Sequence, residues 1–351
     1  MIYCYVGCRT TRERNARGRG IRYYATDGAL NFKEAGLTAC REENPSYLTF
    51  DRTGEFLCTV HGDKESVSSY RVKADGSLEY LGAAKSGGKN PVFITPSADN
   101  RFFFVATLQG GCISTLARRA DGTLSDPIFQ ARVPGTEEGS VSYPHQCLLD
   151  KTGLFLIVPV QGRKTGTGAV NVYRVCADGS LTLSSRWLAR PHDEPRHFAL
   201  HPNNRYGYLV NEKGNSVTCF DFDDEQGILN AKQMLPTLPE YYTGDGQASA
   251  MLVHPSGRFA YASNRIHESI AVFSIDEHTG CLRATSHTDA LGLTPRFITM
   301  DASGKYLYVA NEDSDTIRVF GIDADSGRLA FTGTTIETES PVCVIFSKET
   351  N

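Results

Sequence analysis

The sequence predicts an all-β protein, a seven-bladed β-propeller of four-stranded antiparallel blades. Two series of repeated motifs lead to this prediction: seven hairpin glycines, and seven runs of alternating apolar residues, most of which begin with proline. Both series have a period of about 50 residues, which is typical of repeat architectures. We therefore expect residues 1–351 to form a single propeller domain, although the length alone would suggest two domains.

The hairpin series contains an Asp-Gly pair in each of its first four members. Asp-Gly favours two-residue hairpin loops, because a type I′ turn needs a positive φ at both central positions. The seven glycines are spaced 48, 46, 57, 48, 53 and 47 residues apart: Gly28, Gly76, Gly122, Gly179, Gly227, Gly280 and Gly327.

The second series lies between the hairpins and gives each blade its first two strands. An apolar run (strand a) is followed by a polar turn and an aromatic-rich run (strand b), and strands c and d flank the hairpin. The runs begin at Pro45, Pro91, Pro144, Pro195, Ser249, Pro295 and Pro341. Only a strand a fits after Pro341, whereas strands b, c and d precede Pro45. Residues 1–44 and 341–351 would together complete the seventh blade, which closes the ring and hides its edge strands.

The composition excludes several classes of protein. Hydrophobic residues make up 40% and charged residues 22% of the chain, enough for a real core. No apolar run approaches the roughly 20 residues of a membrane helix. The net charge is −4 without a basic tract, so we expect neither a nucleic acid nor a membrane as partner. The ten cysteines form no C-x-x-C pair and no signal peptide is visible, so we expect a cytoplasmic protein.

The candidate functional residues follow from blade geometry. Strand a lines the channel, and strand b returns antiparallel, so the starts of a and the ends of b from all blades meet at one mouth. Strand-a starts supply His145, Arg196, His197 and Arg296, and strand-b ends supply His61, Gln161, Asn211, Glu212, Asn264, Arg265, Asn311 and Glu312. An arginine-rich mouth suits a small carboxylate or phosphate ligand. The alternative is that these side chains are turn formers and solvated rim charges.

We expect no metal and no cofactor at this mouth. Calcium needs several oxygen ligands with little positive charge nearby, whereas Glu212 and Glu312 lie among three arginines. No glycine-rich phosphate loop opens a helix, and no Gly-x-Ser-x-Gly motif occurs.

Four motifs at these positions carry a family resemblance. They are Glu194-Pro195-Arg196-His197, Val210-Asn211-Glu212, Ser263-Asn264-Arg265 and Ala310-Asn311-Glu312. The chain resembles the seven-bladed β-propeller lactonase family, which includes 6-phosphogluconolactonases and carboxy-cis,cis-muconate cyclases, over essentially its whole length.

The resemblance implies roles for the residues at the mouth. Catalytic roles fall on His145, Arg196, Glu212 and Arg265, and we expect substrate binding by His61, His197, Asn211, Asn264, Arg296 and Glu312. Departures from the family pattern lie beside the pocket. The first blade has His61-Gly62 instead of Asn-Glu, and the third has Tyr143-Pro144-His145 instead of His-Pro-His.

Three functions remain open from the sequence. The first is a cofactor-free lactonase, in which water attacks a small anionic sugar or phosphosugar lactone. His145 or Glu212 would act as general base, and Arg196 and Arg265 would stabilise the oxyanion. The second is a muconate cyclase type of lactonizing enzyme acting on a carboxylate, and the third is a non-catalytic binding scaffold. The oligomeric state stays open.

Overall fold

The computed structural model describes residues 1–28 and 30–349, and these form a ring of seven antiparallel sheets. Ala29, in the first hairpin motif, and residues 350–351, at the end of the predicted domain, lie outside the described residues. Each sheet is one blade, numbered one to six from Pro45 onward, with the closing blade last. The predicted fold class, a seven-bladed propeller, is thereby confirmed.

The strands follow the predicted order a, b, c, d within each blade. The N-terminus contributes β1 (Ile2–Cys8), β2 (Ile21–Thr26) and β3 (Phe32–Thr38), with a 3-10 helix at Arg12–Arg14 between the first two. Blade one contains β4 (Pro45–Phe50), β5 (Phe56–His61), β6 (Ser66–Val72) and β7 (Leu78–Lys85). Blade two contains β8 (Pro91–Pro96), β9 (Phe102–Thr107), β10 (Cys112–Arg118) and β11 (Leu124–Arg132).

Blade three has a strand a that is broken into two short pieces. They are β12 (Tyr143–Pro144) and β13 (Leu148–Leu149), and both pair with β14 (Phe155–Gln161). The blade continues with β15 (Ala169–Val175) and β16 (Leu181–Leu188). The residues between the two pieces, among them His145, leave the regular strand at the point where it lines the channel.

The remaining blades are regular. Blade four contains β17 (Pro195–Leu200), β18 (Tyr206–Asn211), β19 (Ser216–Asp223) and β20 (Ile228–Pro236). Blade five contains β21 (Gln247–Val253), β22 (Phe259–Arg265), β23 (Ser269–Ile275) and β24 (Leu282–Asp289). Blade six contains β25 (Pro295–Met300), β26 (Tyr306–Asn311), β27 (Thr316–Ile322) and β28 (Leu329–Glu337), and β29 (Pro341–Phe346) ends the series. Strand a of blade five thus begins at Gln247, two residues before the predicted Ser249.

The closing blade joins the two ends of the chain. Its strand order is β29, β1, β2, β3, and Val344 of the last strand pairs with Val6 of the first in antiparallel register. This pairing covers an edge that an open array would expose. Among the described residues, no helix has the length and apolar character that crossing a membrane requires.

The aromatic residues of strand b connect neighbouring blades. Buried tyrosines donate hydrogen bonds of 2.8–2.9 Å to the carbonyl of the hairpin glycine of the next blade: Tyr5 to Gly76, Tyr208 to Gly280 and Tyr261 to Gly327. Each bond satisfies a buried hydroxyl, which would otherwise cost free energy. The hairpin repeat and the aromatic repeat therefore have the same period because they form one inter-blade contact.

The hairpins differ from the predicted two-residue type I′ loops. At the second hairpin only the glycine has a positive φ, 78° at Gly76, whereas Asp75 does not. The Lys73 amide donates to the Ser77 carbonyl, and the Gly76 amide donates to the Lys73 carbonyl. This is the three-residue loop that ends in a left-handed glycine. Asp75 stabilises it by accepting hydrogen bonds from the Ser77 amide and hydroxyl, so Asp-Gly marks the hairpin for a different reason.

The hairpin glycines are expected to resist substitution for two separable reasons. Gly122→Ala should lower the free energy of unfolding by about 3–5 kcal/mol, because φ is 89° and an added Cβ would lie 2.1 Å from the Phe56 ring. Gly333→Ala is the matched control, since φ is 88° but nothing lies within 4 Å of its Cβ, and it should cost about 1–2 kcal/mol. Urea denaturation measures both values, and equal losses would contradict the packing argument.

Candidate active site

The predicted mouth of the channel contains a polar cavity of about 140 Å³. The ends of strand b lie beside the starts of strand a, as in the pairs Pro195 with Asn211 and Pro295 with Asn311. Five of the predicted site residues line the cavity: His145, Arg196, His197, Glu212 and Arg296. This volume is below the roughly 300–1,000 Å³ of pockets that hold drug-sized ligands, so the cavity would admit only a small molecule.

Glu212 is the central anion of this site and receives contacts from three blades. Its Oε1 lies 2.9 Å from Nη2 of Arg265, in blade five. Its Oε2 accepts a 2.7 Å hydrogen bond from the Gln161 amide, in blade three, and lies 3.2 Å from Nε of Arg196, in its own blade. The last contact is an ion pair without hydrogen-bond geometry, so the buried Arg196 Nε has no hydrogen-bond partner.

The arginines determine the ionisation of this carboxylate. Burial would raise the pKa of Glu212, but Arg265 and Arg196 outweigh it and lower the pKa to about 2. Glu212 is therefore ionised at any pH at which the protein would be assayed. Its two oxygens already contact the Gln161 amide and the guanidinium groups of Arg196 and Arg265. A carboxylate with so low a pKa is a weak general base.

The environment of His145 keeps this side chain uncharged, whereas that of Glu212 keeps the carboxylate ionised. Burial, reinforced by the positive charge of Arg196, holds the pKa of His145 well below its usual value of 6.5, so the imidazole is neutral at pH 7. Its buried Nδ1 has no hydrogen-bond partner among the described residues. His197 packs edge-on against it, with ring centroids 5.4 Å apart, and burial likewise keeps the pKa of His197 low. His145 is therefore a neutral imidazole in the cavity wall, with one ring nitrogen that no described residue hydrogen-bonds.

Two predicted residues lie behind the cavity lining. Arg265 contacts Glu212 and donates a 3.3 Å hydrogen bond to the Ala248 carbonyl. Glu312 accepts a 3.1 Å hydrogen bond from Nη1 of Arg296. Each thus acts on a residue that does line the cavity, Arg265 on Glu212 and Glu312 on Arg296.

The placement of three other residues corrects the prediction that they bind substrate. His61, Asn211 and Asn264 are fully buried and do not line the cavity. The His61 ring bonds to the Glu43 carbonyl and the Ser68 hydroxyl, and both asparagines donate to polar atoms beside strand c. The reason is strand geometry: successive side chains point to opposite sides, so when Glu212 faces the cavity the preceding Asn211 faces the blade. Asn311, also at a strand-b end, donates to the Ala290 carbonyl.

The sequence analysis missed three arginines that line the cavity: Arg9, Arg14 and Arg163. Arg9 directly follows β1, which is strand b of the closing blade, so the strand-end rule would have found it had it been applied to that blade. Arg163 has a positive φ of 48° and donates to the Gln161 side chain at 3.0 Å. Arg14 lies on the 3-10 helix, which no pattern in the sequence indicates.

Cation ligands are scarce around this cavity. Within residues 1–28 and 30–349, no group of three or more histidine, cysteine, aspartate or glutamate side chains could hold a metal ion. The arrangement instead combines one neutral base with paired and unpaired guanidinium groups, which suits an anion or a developing oxyanion.

A comparison against known families agrees with the fold. The family described as lactonase, 7-bladed beta-propeller, matches residues 3–346. The chain belongs to this family of propeller lactonases, as its motifs predicted.

Individual relatives refine the comparison. The chain is 27% identical over 348 residues to a 6-phosphogluconolactonase of Bacillus subtilis, a match that covers 97% of each chain. Its structure is similar to the periplasmic gluconolactonase of Pseudomonas aeruginosa, with a TM-score of 0.88, 26% identity and 99% of each chain covered. A Lactobacillus plantarum protein, 23% identical, shares the fold with a TM-score of 0.88 over 99% of this chain and all of that one.

The Glu212 ion pairs make stability depend on pH. The folded pKa of about 2 lies below the unfolded value near 4.5, so this stabilisation is present above pH 4.5 and is lost as the pH falls toward 2. Glu212→Gln should lower the free energy of unfolding by about 3 kcal/mol at pH 7, and the difference from wild type should shrink below pH 4.5. Glu277→Gln, at an exposed position, is the control. A difference that stayed constant from pH 7 to pH 3, measured by denaturant titration, would contradict this assignment.

Proposed function

We propose that the protein hydrolyses a small anionic sugar lactone of the 6-phosphogluconolactone type, with His145 as general base. The observation that carries this proposal is the neutral His145, with an unpartnered Nδ1, in the same arginine-lined cavity as Arg196. The name of the Bacillus subtilis relative and that of the Pseudomonas aeruginosa structure support a lactone substrate.

The chemistry balances with water alone. His145 takes a proton from water as the water oxygen attacks the lactone carbonyl, and the carbonyl oxygen becomes an oxyanion beside Arg196. When the intermediate collapses, the ring carbon–oxygen bond breaks, and the leaving alkoxide takes the proton back from His145. The products are an alcohol and a carboxylic acid in one open chain, and the acid then loses its proton to the solvent to give the carboxylate.

Arg196 is suited to the oxyanion because its geometry is fixed before the reaction. Its Nη1 donates a 2.7 Å hydrogen bond to the Ser249 carbonyl, while the buried Nε is free of hydrogen bonds. A donor that is held in place needs no reorganisation as charge develops. Glu212 holds this guanidinium and that of Arg265, and it does not itself accept the proton.

We expect His145→Ala to lower kcat by about 10²–10⁴-fold and Arg196→Ala by about 10²–10³-fold on an active lactone. His278→Ala, at an exposed hairpin, is the matched control and should keep wild-type turnover. The assay is a screen of phosphorylated and unphosphorylated sugar lactones, with a carboxymuconate beside them. Wild-type turnover in both site variants would overturn the catalytic assignment, and loss of the diene absorbance with the carboxymuconate alone would favour the cyclase.

The pH profile gives an independent test of the base. Since burial and Arg196 keep the pKa of His145 well below 6.5, the base is unprotonated at neutral pH. We therefore expect kcat/KM, corrected for spontaneous hydrolysis, to be constant from pH 6.5 to 8 and to fall only at lower pH. A rise in kcat/KM with a midpoint at pH 7 or above would point to a different base.

The chemical class of the ligand follows from the same proposal. A small anionic lactone or carboxylate fits the cationic cavity. A cytoplasmic location stays a prediction, and one similar structure is that of a periplasmic enzyme.

A further inference from the structure

One backbone position recurs in five blades, and in three of them its residue lines the cavity: Arg9, Leu108 and Glu212. It is the residue directly after strand b, whose backbone amide donates to the carbonyl of the residue just before strand a. The bond is present for Arg9 to Ser340, Gly62 to Asn44, Leu108 to Asn90, Glu212 to Glu194 and Glu312 to Thr294, at 2.8–3.2 Å. The five residues at this position are therefore structurally equivalent, and two of them are glutamates whose carboxylates pair with arginines.

At this position the closing blade carries a cation instead of a carboxylate. Arg9 is only 5% exposed and lines the cavity. Its buried Nη1 has no hydrogen-bond partner in the described part of the chain, and Oδ2 of Asp63, with which it forms an ion pair, is 3.6 Å away. Burial, followed by the charges of Arg296 and Arg14, lowers the pKa of Arg9 to about 10, so the side chain remains charged at pH 7.

The surrounding charges are already paired. Arg14 makes a two-point contact with Asp63, and Arg296 donates to Glu312. Arg9 therefore has less compensation than either neighbour, although its charge is the most deeply buried of the three. Burying a guanidinium group with an unsatisfied N–H donor costs free energy unless an anion accepts its hydrogen bond.

Gly62 provides the space for this arginine. A Cβ built on Gly62 would lie 2.1 Å from Nη1 of Arg9 and 2.8 Å from the Ser46 hydroxyl. The equivalent residues in blades four and six are Glu212 and Glu312. The absence of a side chain at Gly62 thus removes a possible carboxylate and admits the guanidinium of the adjacent blade.

We propose that Arg9, together with Arg14 and Arg296, forms a second anion subsite, which binds the phosphomonoester of the lactone substrate. The subsite belongs to the closing blade and blade six, which are three blades and two blades away from blade four, where Glu212 lies. A substrate with its lactone at His145 and its phosphate at Arg9 would span the cavity. This inference rests on the proposed lactonase function and adds to it where the phosphate binds.

The chemistry of the subsite favours a phosphate over a single carboxylate. Guanidinium groups bind phosphate oxygens through directional, charge-assisted hydrogen bonds. Three arginines line this side of the cavity, and two carboxylates, Asp63 and Glu312, lie behind them. The three guanidinium and two carboxylate groups leave a net charge of +1, which attracts an anion, and a phosphate has three oxygens that can accept hydrogen bonds from Arg9 and its neighbours.

The test compares kcat/KM for 6-phosphoglucono-δ-lactone with kcat/KM for glucono-δ-lactone. Arg9→Gln should lower this selectivity ratio by about 10–100-fold, mainly through the KM of the phosphorylated lactone. Gly62→Ala should lower it in the same direction by displacing Arg9. Arg14→Gln, at a partly exposed position, should do so too, because it frees Asp63 to pair with Arg9. Gly82→Ala is the matched control, since its Cβ would meet only Thr123 at 3.7 Å.

A second measurement separates this proposal from the proposed function. Inorganic phosphate and the product 6-phosphogluconate are titrated calorimetrically into the wild type and the four variants. If the wild type hydrolyses neither lactone but binds phosphate, and Arg9→Gln weakens that binding at least 10-fold, the function fails and the subsite stands. Equal phosphate affinity in the wild type and Arg9→Gln, or an unchanged selectivity ratio in all three subsite variants, would overturn the subsite.

Discussion

The buried carboxylate of Glu212 is the constraint on which the site depends. It lies within contact of two guanidinium groups and one amide, from three consecutive blades, so it ties the blades together where the channel opens. Burying one arginine without it would leave an uncompensated charge, which costs several kcal/mol. Because Arg265 and Arg196 lower its pKa, Glu212 carries a permanent negative charge, and the proposed reaction therefore assigns the role of base to His145.

Much of the fold could be predicted because a propeller repeats short-range contacts. Each blade is a set of consecutive antiparallel strands, so the period of its turns and apolar runs appears directly in the sequence. The broken repeat predicted the closure through β29 and β1, since only a ring gives both ends a partner. The turn type was wrong because Asp-Gly is compatible with more than one loop length. The backbone hydrogen bonds that distinguish the loops, from the Lys73 amide to the Ser77 carbonyl and from the Gly76 amide to the Lys73 carbonyl, do not depend on the side chains that the sequence shows.

The sequence predicted where along the strands the site residues lie, but not which way their side chains point. The end of strand b is the right place, yet at a strand end one residue decides whether a side chain faces the cavity or the blade. Asn211 and Glu212 are neighbours in the sequence and face opposite ways, so the motif identified both but only Glu212 lines the cavity. Arg9 was overlooked because its strand is separated from its blade partner by the whole chain. Gly62 makes room for Arg9 because it has no side chain, and a missing side chain is not a motif that a search for functional residues detects.

The cavity is chemically asymmetric, and the asymmetry matches the two things a lactonase must do with charge. Around Glu212 two arginines share one carboxylate that holds them in place, and in the proposed reaction Arg196 gains its main interaction with the substrate as the oxyanion forms. Stabilisation confined to the transition state raises kcat. Around Arg9 the cation is incompletely paired before substrate arrives, and a phosphate carries the same charge throughout the reaction. Interactions that are equal in ground and transition states lower KM without raising kcat. The same backbone position thus carries Glu212 in blade four, which holds the catalytic arginine of the proposed reaction, and Arg9 in the closing blade, which would bind the phosphate.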